Sequence, residues 1–339
     1  MIIKEDFCLK PFNTFAVEVM ARNLSIITSV DDLEELYSSG MLKEDLLVIS
    51  KGSNMLLTNH IMGFVLLNQI WGKEIIEDND DYVLLRVNAG EFWPSLVDYT
   101  VEMGWGGLEN MTEIPGKVGA APIQNIGAYG AELSDVLESV DAFNYSTGKV
   151  ETFSNEMCEF GYRTSIFKTK LKGKYFITSI VLRLSKNPSV NISYAPLRDA
   201  FADVPLKDIT ISDVSKKVAE IRDSKLPNPD KLNNAGSFFK NPIIPMSTFH
   251  DLKLKFDGIP NYPQKDTTYK IPAGWLIEQC GWKGKRIGNV GVHEKQALVI
   301  VKYDSASGKE ILDLAKSIQK DVKQKFGIGL EMEVNVIGY

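Results

Sequence analysis

The chain is poor in the residues that build disulfide and metal sites: its 339 residues include three cysteines and three histidines. Cys8, Cys158 and Cys280 lie far apart with no C-x-x-C, so neither a disulfide framework nor a zinc site is indicated. His60, His250 and His293 are equally dispersed, and no metal is expected. Long apolar runs are missing too. No stretch reaches the roughly 18 residues that would span a bilayer, and the opening MIIKEDFCLK has charges where a signal peptide needs its apolar segment. A cytoplasmic protein is therefore expected. Basic residues are in deficit, with 38 Lys and Arg against 44 Asp and Glu and a net charge of −6. That balance argues against nucleic acid or an anionic membrane as the main partner. Internal repeats and low-complexity segments are also lacking.

What is present is enough apolar material, 44%, for a well-buried globular protein. The length exceeds the roughly 250 to 300 residues at which a single core stops growing, so two or three packed units are expected. The most unusual stretch is 114–130, IPGKVGAAPIQNIGAYG. Glycine and small side chains there leave backbone exposed, and successive free N–H groups would form a concavity suited to a phosphate or a flat cofactor. Two familiar phosphate motifs fail. Gly116-Lys117 is followed by Val118, so the hydroxyl of a P-loop is missing. Gly104-Trp105-Gly106 approaches the dinucleotide fingerprint, but Glu109 stands at the third glycine and no strand leads into it. A bound dinucleotide would need a fold other than the Rossmann type.

Along the chain, Ser29 with Asp32 forms a capping box for a helix ending at Gly40, and 46–49 is a short buried strand. Lys51-Gly52-Ser53-Asn54 follows as a strand-to-turn junction suited to a second phosphate contact. Segments 64–67 and 82–87 are strands, 93–103 is an amphipathic helix, and 136–143, 150–153 and 176–184 belong to one sheet. Ser212 opens a helix that carries Arg222 and Lys225 on one face, a pair that suits either a pyrophosphate or the negative helix end. Ser307 with Glu310 caps the clearest helix, with Ile311, Leu314, Ile318, Val322 and Phe326 as its core face. A strand over 330–337 is expected to carry Glu331 and Glu333 on one side. Strands and helices without regular βαβ alternation indicate α+β units.

Ser237, in A-G-S-F-F, lacks the G-x-S-x-G elbow and a neighbouring histidine, which argues against a nucleophile. A serine can instead give a proton to a carbanion if its surroundings stabilise the developing alkoxide. By default Ser237 is a turn residue, Arg163 a solvated charge and Glu333 an exposed carboxylate. Their weight changes because IPGKVGAAPIQNIGAYG, GYRTSIF, KLPNP, NAGSFFKNP, AGWLIEQCGWKG and FGIGLEMEV occur in one order, after LKPFNTF and KGSNMLL. In these motifs the chain resembles the UDP-N-acetylenolpyruvoylglucosamine reductases over nearly its whole length. Tyr194 and the segment around Tyr262 make it similar to the subgroup with the longer substrate domain.

The resemblance implies an α+β flavoenzyme: a two-subdomain FAD-binding fold of the vanillyl-alcohol-oxidase type, at 1–210 with subdomains of about 1–70 and 71–210, plus a substrate domain at 211–339. The last strand, 330–337, would return to the active site. Non-covalent FAD would be held by Gly52, Ser53, Asn54 and Met55 and by Pro115, Gly116, Gly119, Ala120, Pro122, Ile123, Gln124 and Asn125. NADPH is the implied reductant and the enolpyruvyl UDP-sugar the implied substrate, with a monomer expected. Ser237 would donate the proton, with Arg163 and Glu333 stabilising the enolate-like charge. Tyr194, Arg222, Lys225, Asn241, Tyr262, Lys283 and Gln296 would bind substrate. The sequence departs from the family pattern at Ser50, Lys51 and Asn335. A non-redox nucleotide-sugar protein and a flavin oxidase of the same fold stand as the alternatives.

Overall fold

The computed structural model describes residues 2–43, 45–264 and 266–338. The chain forms two compact units. The first comprises Met1–Phe7, Ala21–Lys51 and Ile61–Ser224, and the second Cys8–Met20, Gly52–His60 and Lys225–Tyr339. The long C-terminal run of the second unit begins at Lys225.

The helix Ile211–Lys225 falls almost wholly in the first unit. Val214 and Val218 on it are buried in one cluster with Leu197 and Ile209, and Ser215 shares a 2.8 Å hydroxyl contact with Thr112. Its start precedes Ser212, because Thr210 and Asp213 cap it: the Asp213 carboxylate accepts from the Thr210 amide at 2.9 Å and hydroxyl at 2.6 Å.

Besides a two-stranded hairpin, Gly127–Ala128 with Ala131–Glu132, the first unit has two larger sheets. One orders Ile3–Cys8, Met20–Ile27, Ile61–Asn68 and Leu46–Ile49, with both neighbours of Ile61–Asn68 running parallel to it. The other is antiparallel, ordering Lys149–Ser154, Leu137–Asn144, Tyr175–Ser185, Tyr82–Asn88 and Lys73–Asp78. They share a core in which Ile27, Phe64 and Leu66 of the first meet Phe143 and Phe176 of the second, with Leu33 and Leu36 from the helix Val30–Ser38. That helix has the expected reciprocal capping box between Ser29 and Asp32. The helix Trp93–Glu102 has a proline in its first turn, and its buried Trp93 donates its indole N–H to Met111 O at 3.1 Å.

In the second unit an antiparallel sheet orders Asn234–Ser237, Val299–Lys302, Val290–Val292 and Arg286–Ile287. The helix Gly308–Phe326 lies against it. Its Ser307–Glu310 capping box is formed, and all five expected core residues are buried. The strand expected over 330–337 is shorter: Asn335–Ile337 alone pairs, in parallel, with Met55–Leu57. Residues 331–333 instead follow Phe238–Lys240 through one isolated bridge, Phe239 to Met332. Among the described residues no helix is long and apolar enough to cross a membrane.

Candidate active site

In the first unit, the glycine-rich stretch is pinned from beneath by the turn after strand Tyr82–Asn88. Val118 N–H donates to Glu91 O at 2.9 Å and Gly119 N–H to Ala89 O at 3.0 Å, while Ala120 and Ala121 N–H bond within the stretch at 3.0 Å. Four amides expected to be free are thus committed to the chain itself, two to the turn beneath and two to a short 3₁₀ turn at 118–120. Ala120 and Gly130 are exposed, and residues 123–129 are half-buried apart from the buried Asn125. Lys117, the only charged side chain of the stretch, is turned inward. Its ammonium donates to Asn68 O at 2.8 Å and sits 4.4 Å from the Trp71 ring centre. Burial lowers its pKa, opposed by nearby Glu91. The outward surface is therefore neutral and small, which fits a flat or anionic group met by backbone dipoles.

Arg163 stands in a tight reversal, where Gly161 and Thr164 exchange both N–H to O bonds at 3.2 Å. Its φ is +56°, the third position of a four-residue turn that glycine or asparagine ordinarily fills. The guanidinium donates through Nη2 to Gly127 O at 2.6 Å and through Nη1 to Asn125 O at 3.4 Å. Lys168 Nζ donates to Arg163 O at 3.3 Å and to Gln124 Oε1 at 3.4 Å. Elsewhere in this unit, Arg222 Nη2 donates to Glu113 O at 3.0 Å. Tyr194 packs edge-on to Tyr129, with ring centres 5.3 Å apart. Burial raises the Tyr129 phenol pKa, and the adjacent Arg222 opposes that rise. Tyr129 was not singled out by sequence reasoning, although it lies within the glycine-rich motif.

In the second unit, Gly52 has φ +62°, and a Cβ there would lie 2.2 Å from Phe12 O. Only glycine lets the two segments approach so closely. Asn13, also missed, fixes the loop LKPFNTF: its Nδ2 donates to Leu9 O and Val17 O, and its Oδ1 accepts from Val17 N–H.

Ser237 follows a bulge. Asn234 pairs with Val301 and Ser237 with Val299, with an irregular register between them, and Gly236 has φ +70°. A bulge of this kind re-aims the side chain after it. Buried Asn234 sets it, its Oδ1 accepting from Gly236 N–H at 2.8 Å. Glu333 is drawn to the same backbone: its N–H donates to Phe238 O at 2.8 Å, and Lys240 N–H donates to Glu331 O at 2.9 Å. Asn54 Nδ2 donates to Glu333 O at 3.3 Å, and Asn335 donates to Asn54 O through both its N–H and Nδ2. Asn335 thus makes a side-chain bond that supports the Asn54 turn.

The remaining candidates are scattered over this unit. Asn241 Oδ1 accepts from Ala273 N–H at 2.9 Å and so caps the helix Ala273–Gln279. Lys283 pairs with Glu278 at 2.9 Å, and Gln296 Oε1 accepts from Leu298 N–H at 3.3 Å. Tyr262 is half exposed in the small sheet with Ile243–Pro245 and Thr268–Lys270, and Lys225 is exposed at the end of its helix. Among the described residues no cluster of three or more His, Cys, Asp or Glu is placed to hold a metal.

Residues 26–154 match the family profile described as FAD binding domain, and the neutral glycine-rich surface within them suits that group. The molecule is an FAD-binding α+β protein. Residues 228–337 match the profile UDP-N-acetylenolpyruvoylglucosamine reductase, C-terminal domain. The chain is 46% identical to a UDP-N-acetylenolpyruvoylglucosamine reductase of Flavobacterium johnsoniae, covering 99% of this chain and 100% of the relative. It is also 46% identical to that of Vibrio cholerae serotype O1, covering 97% and 93%. The fold is that of the crystallised UDP-N-acetylenolpyruvylglucosamine reductase of Thermus caldophilus, with a TM-score of 0.70, 23% identity and 99% of each chain covered. The chain belongs to the UDP-N-acetylenolpyruvoylglucosamine reductase family.

Proposed function

We propose that this protein reduces UDP-N-acetylglucosamine enolpyruvate to UDP-N-acetylmuramate, with NADPH as reductant, as a step of peptidoglycan precursor synthesis. The observation that carries this reading is the 46% identity to a reductase of that name along 99% of the chain. FAD, when bound, would supply hydride chemistry, with NADPH as the source of the reducing equivalents. Gly52, Ser53, Asn54 and Met55, with Pro115, Gly116, Gly119, Ala120, Pro122, Ile123, Gln124 and Asn125, hold it. Because the amides of 118–121 bond internally, Gly119 and Ala120 serve there as small surfaces rather than donors.

Hydride addition at the terminal vinyl carbon leaves negative charge on the neighbouring carbon, from which it spreads into the carboxylate. Arg163 offers a cation to that charge. Glu333 helps only with its proton on or shared, since a bare carboxylate would repel it. The Ser237 hydroxyl gives the proton that completes the reduction. Tyr194, Arg222, Lys225, Asn241, Tyr262, Lys283 and Gln296 bind the sugar nucleotide, several of them at its phosphates. FAD binding is assigned to 1–210 and substrate binding to 211–339, in a cytoplasmic monomer of the subgroup with the longer substrate domain.

Anaerobic spectroscopy tests this. The purified yellow protein bleaches with NADPH and recovers its colour on addition of the enolpyruvyl UDP-sugar. Recovery with oxygen alone points to an oxidase, and a colourless protein that still binds UDP-sugar points to a non-redox binder.

A further inference from the structure

Arg163 carries two demands that its own turn does not meet. A left-handed φ at a residue with a Cβ costs on the order of 1 kcal/mol and persists only where the surroundings over-determine it. The reversal at Gly161–Thr164 fixes the backbone. The guanidinium donates to the carbonyls of Asn125 and Gly127 and lies 5.5 Å from the centre of the Tyr162 ring. Those carbonyls belong to a segment that the Asn125 side chain anchors to its surroundings.

Asn125 is 1% exposed and has φ +46°. Its Nδ2 donates to Glu132 Oε2 at 2.8 Å and toward Gly161 O at 3.4 Å, and its Oδ1 accepts from Ser134 N–H at 3.0 Å. One amide therefore joins three pieces: the turn that bears Arg163, the turn at 132–135, and the start of the hairpin Gly127–Ala128 with Ala131–Glu132. Asparagine is the ordinary residue for this backbone region, because its short amide bonds locally and it tolerates positive φ. Leucine or glutamine of similar size would meet neither condition.

We propose that Asn125, gripped by Glu132, is the positioning residue that aims the Arg163 guanidinium. The inference rests on the reading of Arg163 as the cation for the developing carboxylate charge, and it assigns Asn125 a role through Arg163 in addition to any contact with the cofactor. An arginine displaced by about 1 Å loses on the order of 100-fold in the step it serves.

A double-mutant cycle on the FAD-loaded protein tests this, with sugar-dependent kcat expressed per bound flavin. Asn125→Gly keeps the left-handed backbone while removing the amide. The expected result is a loss of about 10- to 100-fold in kcat with Arg163 present and under about 3-fold in the Arg163→Ala background, because the residue to be aimed is gone. Equal factors in both backgrounds overturn the role of Asn125 and leave the functional reading intact. An Arg163→Ala protein that turns over like the parent overturns both. If Asn125→Gly is not recovered folded, Glu132→Gln weakens the same grip from its far end. It goes through the same cycle with the same two outcomes.

Discussion

Arg163 in the first unit and Glu333 in the second are assigned to the same developing charge, yet they are held in different ways. Glu333 is placed by main chain: its N–H bonds to Phe238 O, its neighbour Glu331 accepts from Lys240 N–H, and the strand that follows pairs in parallel with Met55–Leu57. Arg163 is held through its side chain, a guanidinium on two carbonyls of a segment anchored by the Asn125 amide, in a turn whose φ is +56°. Main-chain ladders survive most substitutions, because every residue supplies the same N–H and C=O. A side-chain clamp depends on particular residues. The first unit should therefore lose function through conservative point changes that the second tolerates, unless they remove a reacting group or a required glycine.

The largest expected effect lies at a reacting group in the ladder-held unit. Ser237→Ala leaves the bulge intact and should lower sugar reduction by about 10²- to 10⁴-fold. NADPH-driven flavin reduction, measured separately by stopped flow, should keep its rate, since only the second half-reaction needs this proton. Equal slowing of both would contradict the assignment.

Next comes Gly52, where a Cβ would meet Phe12 O at 2.2 Å on a left-handed backbone. Gly52→Ala should cost on the order of 3 kcal/mol, combining overpacking with the φ penalty. The shift in urea midpoint checks this, and a neutral result would mean that the loop LKPFNTF moves aside freely.

A smaller effect separates strain from chemistry at Arg163. Arg163→Gly and Arg163→Ala both remove the guanidinium and should be similarly impaired in sugar reduction. Arg163→Gly should be the more stable by about 1 kcal/mol, because glycine alone occupies φ +56° without cost. Equal melting temperatures would show that the turn is not strained.

The smallest effect is an alkaline slope. Burial holds the Lys117 pKa below its usual value of 10.5. Between the lowered value and 10.5, the unfolded chain keeps a proton that the folded chain has released. The contribution of this lysine therefore rises with pH there, by at most about 1.4 kcal/mol per pH unit. Urea unfolding at stepped pH values approaching 10.5 should show stability rising with pH in the parent relative to Lys117→Met.

Local signals were legible in the sequence. Both capping boxes, at Ser29 with Asp32 and at Ser307 with Glu310, form as the spacing implies, because a cap needs only residues three apart. The strand Leu46–Ile49 and four strands of the five-stranded sheet were legible from their own side chains, whereas the edge strand Lys73–Asp78, exposed along its length, was not. Long-range partners were not. Nothing near residue 335 says that it pairs with residue 55, so period-two patterning over-extended that strand. The commitment of the amides at 118–121 depends partly on carbonyls at 89 and 91. Likewise, the segments at 8–20 and 52–60 join the second unit through contacts with residues far along the chain, as Phe15 does with Phe238. Ser237, Arg163 and Glu333 became candidates through whole motifs, since each residue alone reads as an ordinary surface group. Asn125 and Glu132 gave no sign of acting together, because their bond depends on how the hairpin closes.

The account is tested most directly by NADPH consumption by the purified FAD-loaded protein with and without the enolpyruvyl UDP-sugar. It predicts consumption that depends on the sugar, with one UDP-N-acetylmuramate formed for each NADPH oxidised. Consumption indifferent to the sugar, or oxidation without that product, would contradict it.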